Sequence, residues 1–452
     1  MKSNPGVVLE HCEPGELPPS LAPSVAASEF DSTSGQAVRM GMFSMFDQGV
    51  VSGTNFFTTL ILARACSQDE LGVYSLAWTI VVFLTALQAN LITVPYTMYC
   101  HRRSGAALAE YAGSALAHQL ITSLGAVACF LGLNVLLSLG LGPASMRPAA
   151  WVLLGVIPFV MLRDYARRFT FAHLALATAI TIDVVAAVLQ LGTLLVLREL
   201  GLLSASAVYA AMGMACAVAS LCWWFLDSQP MHFSRVRFFA DWKRNWLFGR
   251  WAMLSQLTSL ALYALPWLLA SVHGEAATGE LHACMTLVGL SSLFILGLNN
   301  LLMPKAARAF GQQGAHALFG VLRQAALWVL VVLGGLCVGV YFAGDFLAGI
   351  IYGAQYADTG PLLTILALAA LTDAMGLTAS TGLWAMDRPG IGIIGDMTQL
   401  LITLGVALWL VYPLGTIGIA IAMLAGRTTG AAVRWLTLWL LMGAIHCEPK
   451  AV

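Results

Sequence analysis

The sequence predicts an all-α integral membrane protein with twelve transmembrane helices arranged as two parallel six-helix repeats. Its composition, the spacing of its apolar segments and an internal repeat each support that fold class. Of its 452 residues, 59% are hydrophobic and 10% are charged, whereas a soluble domain carries roughly 25% charged residues. The formal net charge is zero, so no overall basic field favours a nucleic-acid partner.

Twelve apolar segments are long enough to cross a membrane, because a helix needs roughly 20 such residues to span the hydrocarbon. Polar, glycine and proline positions separate the segments. Numbered in chain order, they are 41–63, 73–99, 112–139, 148–165, 174–197, 203–226, 250–272, 281–303, 317–343, 360–385, 391–411 and 415–441.

The connections between these segments alternate in positive charge. One side carries only Arg64, Arg147 and Arg198. The other side collects most of the basic residues: Arg102, Arg103, Arg163, Arg167, Arg168, Arg235, Arg237, Lys243, Arg244, Arg250, Lys305, Arg308, Arg323 and Arg388. Because cytoplasmic loops are enriched in Lys and Arg, we predict a multi-pass protein of the cytoplasmic (inner) membrane with both termini in the cytoplasm.

An internal repeat relates the two halves of the chain. The stretch QDELGVYSLAW (68–78) aligns with EAATGELHACM (275–285), and NLITVP further along aligns with NNLLMP. Six helices separate the copies. Since six is an even number, both copies point the same way, and an axis along the membrane normal relates the halves.

Each copy of the repeat places an Asn and a Pro five residues apart near the cytoplasmic end of its second helix. These are Asn90 with Pro95, and Asn299 with Pro304. Proline frees a backbone carbonyl and kinks a helix, while asparagine bonds backbone groups across a bundle. We predict two kinked helices, and both a purely structural role and a direct substrate contact remain open.

These patterns divide the chain into five parts. Residues 1–40 are rich in Pro, Ser and Glu and predict a disordered cytoplasmic tail. Residues 41–226 form the N-terminal six-helix lobe, 227–249 a basic cytoplasmic linker loop, 250–441 the C-terminal lobe and 442–452 a short C-terminal tail.

Four motifs in a fixed order resemble a known group of transporters. They are LILARACSQDELGVYSLAW (60–78), IIYGAQYADTGPLLTILAL (350–368), LWAMDRPGIGI (383–393) and YPLGTIGIAIA (412–422). Over about residues 41–440 the chain resembles the multidrug/oligosaccharidyl-lipid/polysaccharide (MOP) superfamily, and within it the polysaccharide-exporter or O-antigen-flippase branch. The resemblance implies two six-helix lobes around a central cavity, which the kinks at Asn90, Pro95, Asn299 and Pro304 would line.

The resemblance also implies a function. It points to a flippase that moves a polyprenyl-(pyro)phosphate-linked oligosaccharide or polysaccharide precursor across the membrane by alternating access. Its expected partners are the lipid-linked sugar, membrane lipids and a coupling ion, either protons or sodium. A multidrug or cation antiporter of the same superfamily is the alternative, and a polymerase or ligase of lipid-linked sugars is a weaker one.

An enzyme is not expected from the sequence. The outside loops are short, and the chain contains no G-x-x-x-x-G-K-[ST], H-E-x-x-H or G-x-S-x-G motif. We predict no cofactor and no metal site, and the oligomeric state stays open.

Five charged side chains inside the apolar segments are candidate functional residues: Asp47, Asp183, Asp373, Asp396 and Arg427. A charge inside a bilayer costs roughly 2.5–3.5 kcal/mol on insertion scales. At about 1.5 Å per residue, all five fall in the cytoplasmic half of the membrane. We expect Arg427 to pair with Asp373, Asp396 or both. This pair and Asp183 either hold helices together or couple transport to an ion.

A basic group at the cytoplasmic mouth is the candidate substrate site. Arg163 and Arg167 lie four residues apart and so share one helical face, with Arg168 beside them. Arginine grips phosphate in a forked geometry, and Asp47 would line the cavity nearby. The competing interpretation is ordinary cytoplasmic positive charge, with Arg163 paired to Asp164 or to a lipid headgroup.

Overall fold

The computed structural model describes residues 45–227 and 229–447, and within these ranges it consists of helices and short connections without a strand. The first half contains α1 (45–65), α2 (Gln68–Cys100), α3 (Gly105–Ser138), α4 (Arg147–Ala172), α5 (Leu176–Glu199) and α6 (Ala205–Leu226). The second half contains α7 (Arg235–Leu262, continued by 265–273), α8 (275–313), α9 (315–352), α10 (Gly360–Ala385), α11 (389–414) and α12 (416–447). The predicted tail 1–40 and residues 448–452 lie outside the described residues.

Three glycines separate consecutive helices in the second half. The helical runs Leu265–Gly289, Ser291–Tyr352 and Pro389–Cys447 each contain one glycine with positive φ: Gly274 at 82°, Gly314 at 78° and Gly415 at 53°. L-residues with a side chain rarely adopt such angles, so these positions favour glycine. Counting the breaks gives twelve helices in the described chain, which confirms the predicted number.

Length and hydropathy of these helices fit a membrane. Among the described residues, eight helical runs are long and apolar enough to cross one, and two of these, Ser291–Tyr352 and Gly390–Met442, contain the breaks at Gly314 and Gly415. Large apolar side chains such as Phe225, Phe342 and Trp409 are exposed on the isolated chain. The protein is therefore a multi-pass membrane protein.

Each lobe has a core of its own, and a further apolar cluster joins the lobes. In the N-terminal lobe, the ring of Phe169 stacks on Tyr96 with centroids 5.1 Å apart and contacts Trp223 edge-on at 5.8 Å. The shared cluster includes Leu71 of α2 and Leu281 of α8. The lobes therefore pack together through α2 and α8.

A reciprocal contact between two glycines brings α2 and α8 together. A methyl group on Gly72 would lie 1.9 Å from the carbonyl oxygen of Glu275, and one on Gly279 would lie 2.1 Å from that of Gln68. Both distances are far below van der Waals contact, so each position requires glycine. The sequence repeat aligns Gly72 with Gly279 and Gln68 with Glu275. Equivalent residues of the two lobes therefore contact each other.

Polar groups add links around this crossing. Gln68 Nε2 donates to the carbonyl of Gln355 at 2.7 Å, and Gln355 Nε2 donates to the carbonyl of Ala63 at 2.6 Å. Arg64 donates to the carbonyls of Ile350 and Ile351. We call Arg64, Gln68, Gly72, Glu275, Gly279 and Gln355 the lobe seal, since they join the α1–α2 turn of one lobe to α8 and the α9–α10 connection of the other.

The start of α2 is also tied to its own lobe. Ser67 Oγ accepts a hydrogen bond from the amide of Glu70 at 3.3 Å and caps the helix. Glu70 in turn accepts from the amide of Ala205, at the first turn of α6, at 2.6 Å. A carboxylate is stabilised at a helix N-terminus, so this contact fixes α2 against α6 beside the lobe seal.

The linker between the lobes differs from its prediction. Residues 235–249, expected to be loop, are the first turns of α7. This part of α7 docks on the N-terminal lobe: Arg103 pairs with Asp241 at 2.8 Å, and the Tyr111 hydroxyl donates to Asn245 Oδ1 at 2.9 Å. The basic residues of 227–249 had suggested a solvated loop, but buried partners hold the segment in place.

The two Asn–Pro copies have different structures. In α2 a π-helical turn, Ala89–Thr93, precedes Pro95, and Asn90 Nδ2 donates at 2.9 Å to Ala86 in its own helix. The expected bond across the bundle is therefore absent at Asn90. In α8, Asn299 Oδ1 accepts from the Thr381 hydroxyl of α10 at 3.1 Å, and the backbone stays helical through Pro304.

Candidate functional site

A cluster of four charged side chains lies in the N-terminal lobe. Asp183 of α5 pairs with Arg163 of α4 and, at 2.7 Å, with Arg167 Nε. A second nitrogen of Arg167 pairs with Asp47, in the first turn of α1. We call Asp47, Arg163, Arg167 and Asp183 the N-lobe charge cluster. It ties three helices together through alternating charges with a formal sum of zero.

The members of the N-lobe charge cluster are buried enough that losing any one of them would destabilise the fold. The two carboxylates are fully buried, while the side chains of Arg163 and Arg167 keep 19% and 17% of their exposure. Removing one member of a buried ion pair leaves an uncompensated charge. The shared face of Arg163 and Arg167 was predicted from their spacing, but their carboxylate partners on α1 and α5 were not.

The cluster also contains groups without a partner. Asp47 Oδ1 and Arg163 Nε are buried and make no hydrogen bond within the described structure. A proton or a cation reaching Asp47 Oδ1 would displace no existing hydrogen bond there. A phosphate, in contrast, would have to compete with Asp47 and Asp183 for the arginines.

Arg168 stands apart from this cluster. Its Nε pairs with Asp164 at 2.8 Å, one turn away on α4, and its side chain is 40% exposed. The competing interpretation gave Asp164 to Arg163, but the structure gives it to Arg168. An exposed pair of this kind contributes little to stability.

A cavity of about 340 Å³ lies in the C-terminal lobe, between α7, α8, α10, α11 and α12. Small-molecule pockets typically measure about 300–1,000 Å³. Its charged lining residues are Asp373, Asp396, Arg427 and Arg434, and its apolar lining includes Leu281 and Met423. We call it the C-lobe cavity. Three of its four charged residues are the predicted ones.

The predicted ion pair of Arg427 is replaced by a different pair. Arg434, which was not among the predicted site residues, donates to Asp396 and, at 3.4 Å, to Gln399. Among the described ion pairs, none includes Arg427 or Asp373. Both of these nevertheless line the same cavity, so their charges face a space in which a ligand fits.

Two glycines, Gly376 and Gly395, leave room for the side chain of Arg434 beside Asp396. A methyl group on Gly395 would lie 2.6 Å from Arg434 Cγ, and one on Gly376 would lie 2.8 Å from a guanidinium nitrogen. Seven residues separate Arg427 from Arg434, about two helical turns, so the two share one face of α12. Arg434 was not among the predicted residues, although its spacing from Arg427 was a signal that could have found it.

The Asn–Pro positions contribute less to the cavities than expected. Asn90 and Pro95 are buried in the packing of the N-terminal lobe, whereas Pro304 is exposed. Asn299 borders a void of only about 10 Å³ beside Leu298 and Val329. In the described ranges, no group of three His, Cys, Asp or Glu side chains is placed to hold a metal ion.

Solved structures of the same fold are membrane transporters. An inward-facing multidrug resistance MATE family transporter of the MOP superfamily aligns with a TM-score of 0.76 at 17% identity, covering 88% of this chain and 96% of that one. The chain has the MATE transporter fold. A MOP superfamily transporter from Pyrococcus furiosus, described by the reverse polarity of its binding pocket, aligns with a TM-score of 0.64 at 17% identity, covering 91% and 96%.

A third solved structure shows the same fold in an outward-facing transporter. An outward-facing MATE family transporter aligns with a TM-score of 0.59 at 17% identity, covering 91% of this chain and 96% of that chain. The inward-facing transporter aligns with the higher TM-score, 0.76. No protein-family model and no curated protein sequence matches the chain.

Proposed function

We propose that this protein is a secondary transporter that works by alternating access and exports a lipid-linked oligosaccharide. The MATE fold and the lobe seal support the first part. Two lobes that are joined mainly through α2 and α8 can rock about that contact and change which end is open. The lobe seal lies at the end that the charge asymmetry predicts to be outside, so the described state would accept substrate from the cytoplasm.

The proposed substrate class rests on the guanidinium of Arg427 in the C-lobe cavity. Arg427 lines this cavity and belongs to none of the described ion pairs, so its donors are available to a ligand. A diphosphate lipid supplies oxygens that match the forked geometry of arginine. Arg163 and Arg167, first considered for this role, are engaged by carboxylates. We therefore move the proposed phosphate contact to Arg427.

The N-lobe charge cluster is the proposed coupling site. Arg167 serves two buried carboxylates at once, and Asp47 keeps one oxygen without a hydrogen bond. A proton added to Asp47 would remove its charge and weaken its hold on Arg167. That change would loosen α1 from α4 without touching the substrate cavity, as coupling between an ion and a rocking lobe requires.

A multidrug or cation antiporter is the second candidate, and Asp373 favours it. This carboxylate also lines the C-lobe cavity outside the described ion pairs. An organic cation would pair with the Asp373 carboxylate, just as a phosphate would pair with the Arg427 guanidinium. The same cavity therefore supports two substrate classes of opposite charge, and binding experiments separate them.

The test measures binding of a polyprenyl diphosphate and of ethidium to the purified protein. We expect the diphosphate lipid to bind and Arg427→Gln to weaken it about 10-fold or more, as expected for a lost charge-assisted hydrogen bond. Arg388→Gln, an exposed arginine in the α10–α11 turn, is the matched control and should leave binding unchanged. Binding of ethidium alone, abolished by Asp373→Asn, would replace the proposal with the antiporter.

A further inference from the structure

A second pocket lies between the lobes, and it shares no lining residue with the C-lobe cavity or the N-lobe charge cluster. It measures about 220 Å³, and α1, α2 and α8 form its walls. Two of these helices belong to the N-terminal lobe and the third to the C-terminal lobe. Its lining includes Asn55, Phe56 and Thr59 of α1, Trp78 of α2, and His282 and Thr286 of α8. We call it the inter-lobe pocket.

The lining of the inter-lobe pocket is polar without being charged. It offers an amide, hydroxyl groups and an imidazole beside aromatic rings, and none of its described lining residues is Asp, Glu, Lys or Arg. A charged ligand would find no counter-ion here, whereas the C-lobe cavity supplies both signs. Hydroxyl-rich neutral molecules suit such a wall, because each hydroxyl both donates and accepts a hydrogen bond.

The aromatic part of the pocket is held rigidly. Trp78 stacks on Tyr74 with centroids 6.2 Å apart and planes 16° from parallel. Tyr74 is nearly fully buried, its ring meets His282 edge-on at 5.6 Å, and its carbonyl accepts from Tyr209 at 2.6 Å. Trp78 itself remains half-buried, so part of its ring is accessible. A rigidly held indole offers an apolar face on which the C–H face of a pyranose ring can stack.

The opposite wall supplies free hydrogen-bonding groups. Asn55 is exposed, and no hydrogen bond within the described structure engages its amide. An amide that can both donate and accept suits the paired hydroxyls of a sugar. The volume of about 220 Å³ is below that of drug-sized pockets, which start near about 300 Å³. One ring fits this space better than a chain of several.

We propose that the inter-lobe pocket binds one uncharged sugar ring of the transported molecule. This rests on the proposed export of lipid-linked oligosaccharide and assigns the sugar a site apart from the phosphate. Trp78 lies ten residues beyond Gln68, so the pocket is about 15 Å along α2 from the lobe seal. A sugar held there touches both lobes, and its contacts with α8 are lost when the lobes rock apart.

The test compares polyprenyl diphosphate with the same lipid carrying glucose, galactose or N-acetylglucosamine. For the wild-type protein in nanodiscs, we expect at least one sugar-bearing lipid to bind about 10-fold tighter than the bare diphosphate, from one stacking contact and one or two hydrogen bonds. Trp78→Ala and Asn55→Ala should each reduce this difference to about 2-fold or less. The bare lipid should keep its affinity in both variants.

Matched variants separate binding from folding. Trp224→Ala removes an exposed tryptophan of α6 and should keep the full sugar preference, while Trp78→Tyr retains an aromatic face and should keep most of it. Equal binding of bare and sugar-bearing lipids by the wild type would overturn the sugar pocket but leave the diphosphate proposal standing. A sugar preference that survives in both Trp78→Ala and Asn55→Ala would overturn it too. Failure of every lipid to bind would instead refute the proposed function.

Discussion

Arg167 is the residue whose loss should disturb the fold most sharply. It pairs with both Asp47 and Asp183, and Asp183 keeps Arg163 as a second partner. Arg167→Gln therefore strands Asp47, a fully buried carboxylate, more completely than it strands Asp183. Breaking a buried pair from one side costs about 3–5 kcal/mol. We expect a loss of unfolding free energy in that range.

A double-mutant cycle isolates the contact. Asp47→Asn alone leaves Arg167 paired with Asp183, so we expect a milder cost of about 1–3 kcal/mol. The combination of Arg167→Gln with Asp47→Asn should cost less than the sum of the two by about 1–3 kcal/mol. Equilibrium unfolding in mixed detergent–SDS micelles measures each variant, and abundance in the membrane provides a second readout.

An exposed ion pair on the same helix provides the control. Arg168→Gln removes the partner of Asp164, a pair in which the arginine is 40% exposed, and should cost no more than about 1 kcal/mol. If the costs of Arg167→Gln and Asp47→Asn add within about 0.5 kcal/mol, the two residues do not interact and the interpretation fails.

Three further predictions address other parts of the molecule. Arg434→Gln should lower the unfolding free energy by no more than about 1 kcal/mol, because the Asp396 side chain that it leaves behind is 41% exposed, and a loss of about 3 kcal/mol or more, as for a buried pair, would contradict this. Gly72→Val cannot keep its present distance to Glu275, so we expect faster amide hydrogen exchange in the first turns of α2 and α8, and unchanged exchange would argue against the lobe seal. Burial lowers the pKa of His173, which follows α4, below its ordinary value of 6.5. Its neutral form therefore stabilises the fold above pH 6.5, and this contribution is lost as the pH falls below that value. His173→Gln should flatten the pH dependence of stability measured by thermal unfolding.

Features that depend on local pattern were predicted well. Apolar length and alternating loop charge mark helices independently of how they pack, so twelve segments were found. The breaks at Gly274, Gly314 and Gly415 fall within a few residues of segment boundaries. The prediction of a loop at the linker was wrong because Arg235 and its basic neighbours suggested a solvated segment. Its helix depends on tertiary partners such as Asp241 with Arg103, which sequence spacing does not reveal.

Features that depend on pairing between helices were predicted only in part. Asp47 and Asp183 were both placed in the cytoplasmic half of the membrane, but depth does not determine which helix lies next to which. Arg427 was expected to pair with Asp373, Asp396 or both, yet Asp396 pairs with Arg434. Both arginines share one face of α12, and Arg434 packs closely against Gly395 on its way to Asp396. The choice between the two arginines depends on three-dimensional packing.

The crossing of Gly72 and Gly279 also bears on how the chain arose. Equivalent residues meet there from both sides, which is the property of an isologous interface between two identical subunits. A single six-helix ancestor with this glycine would already have possessed the contact needed to form a two-fold dimer.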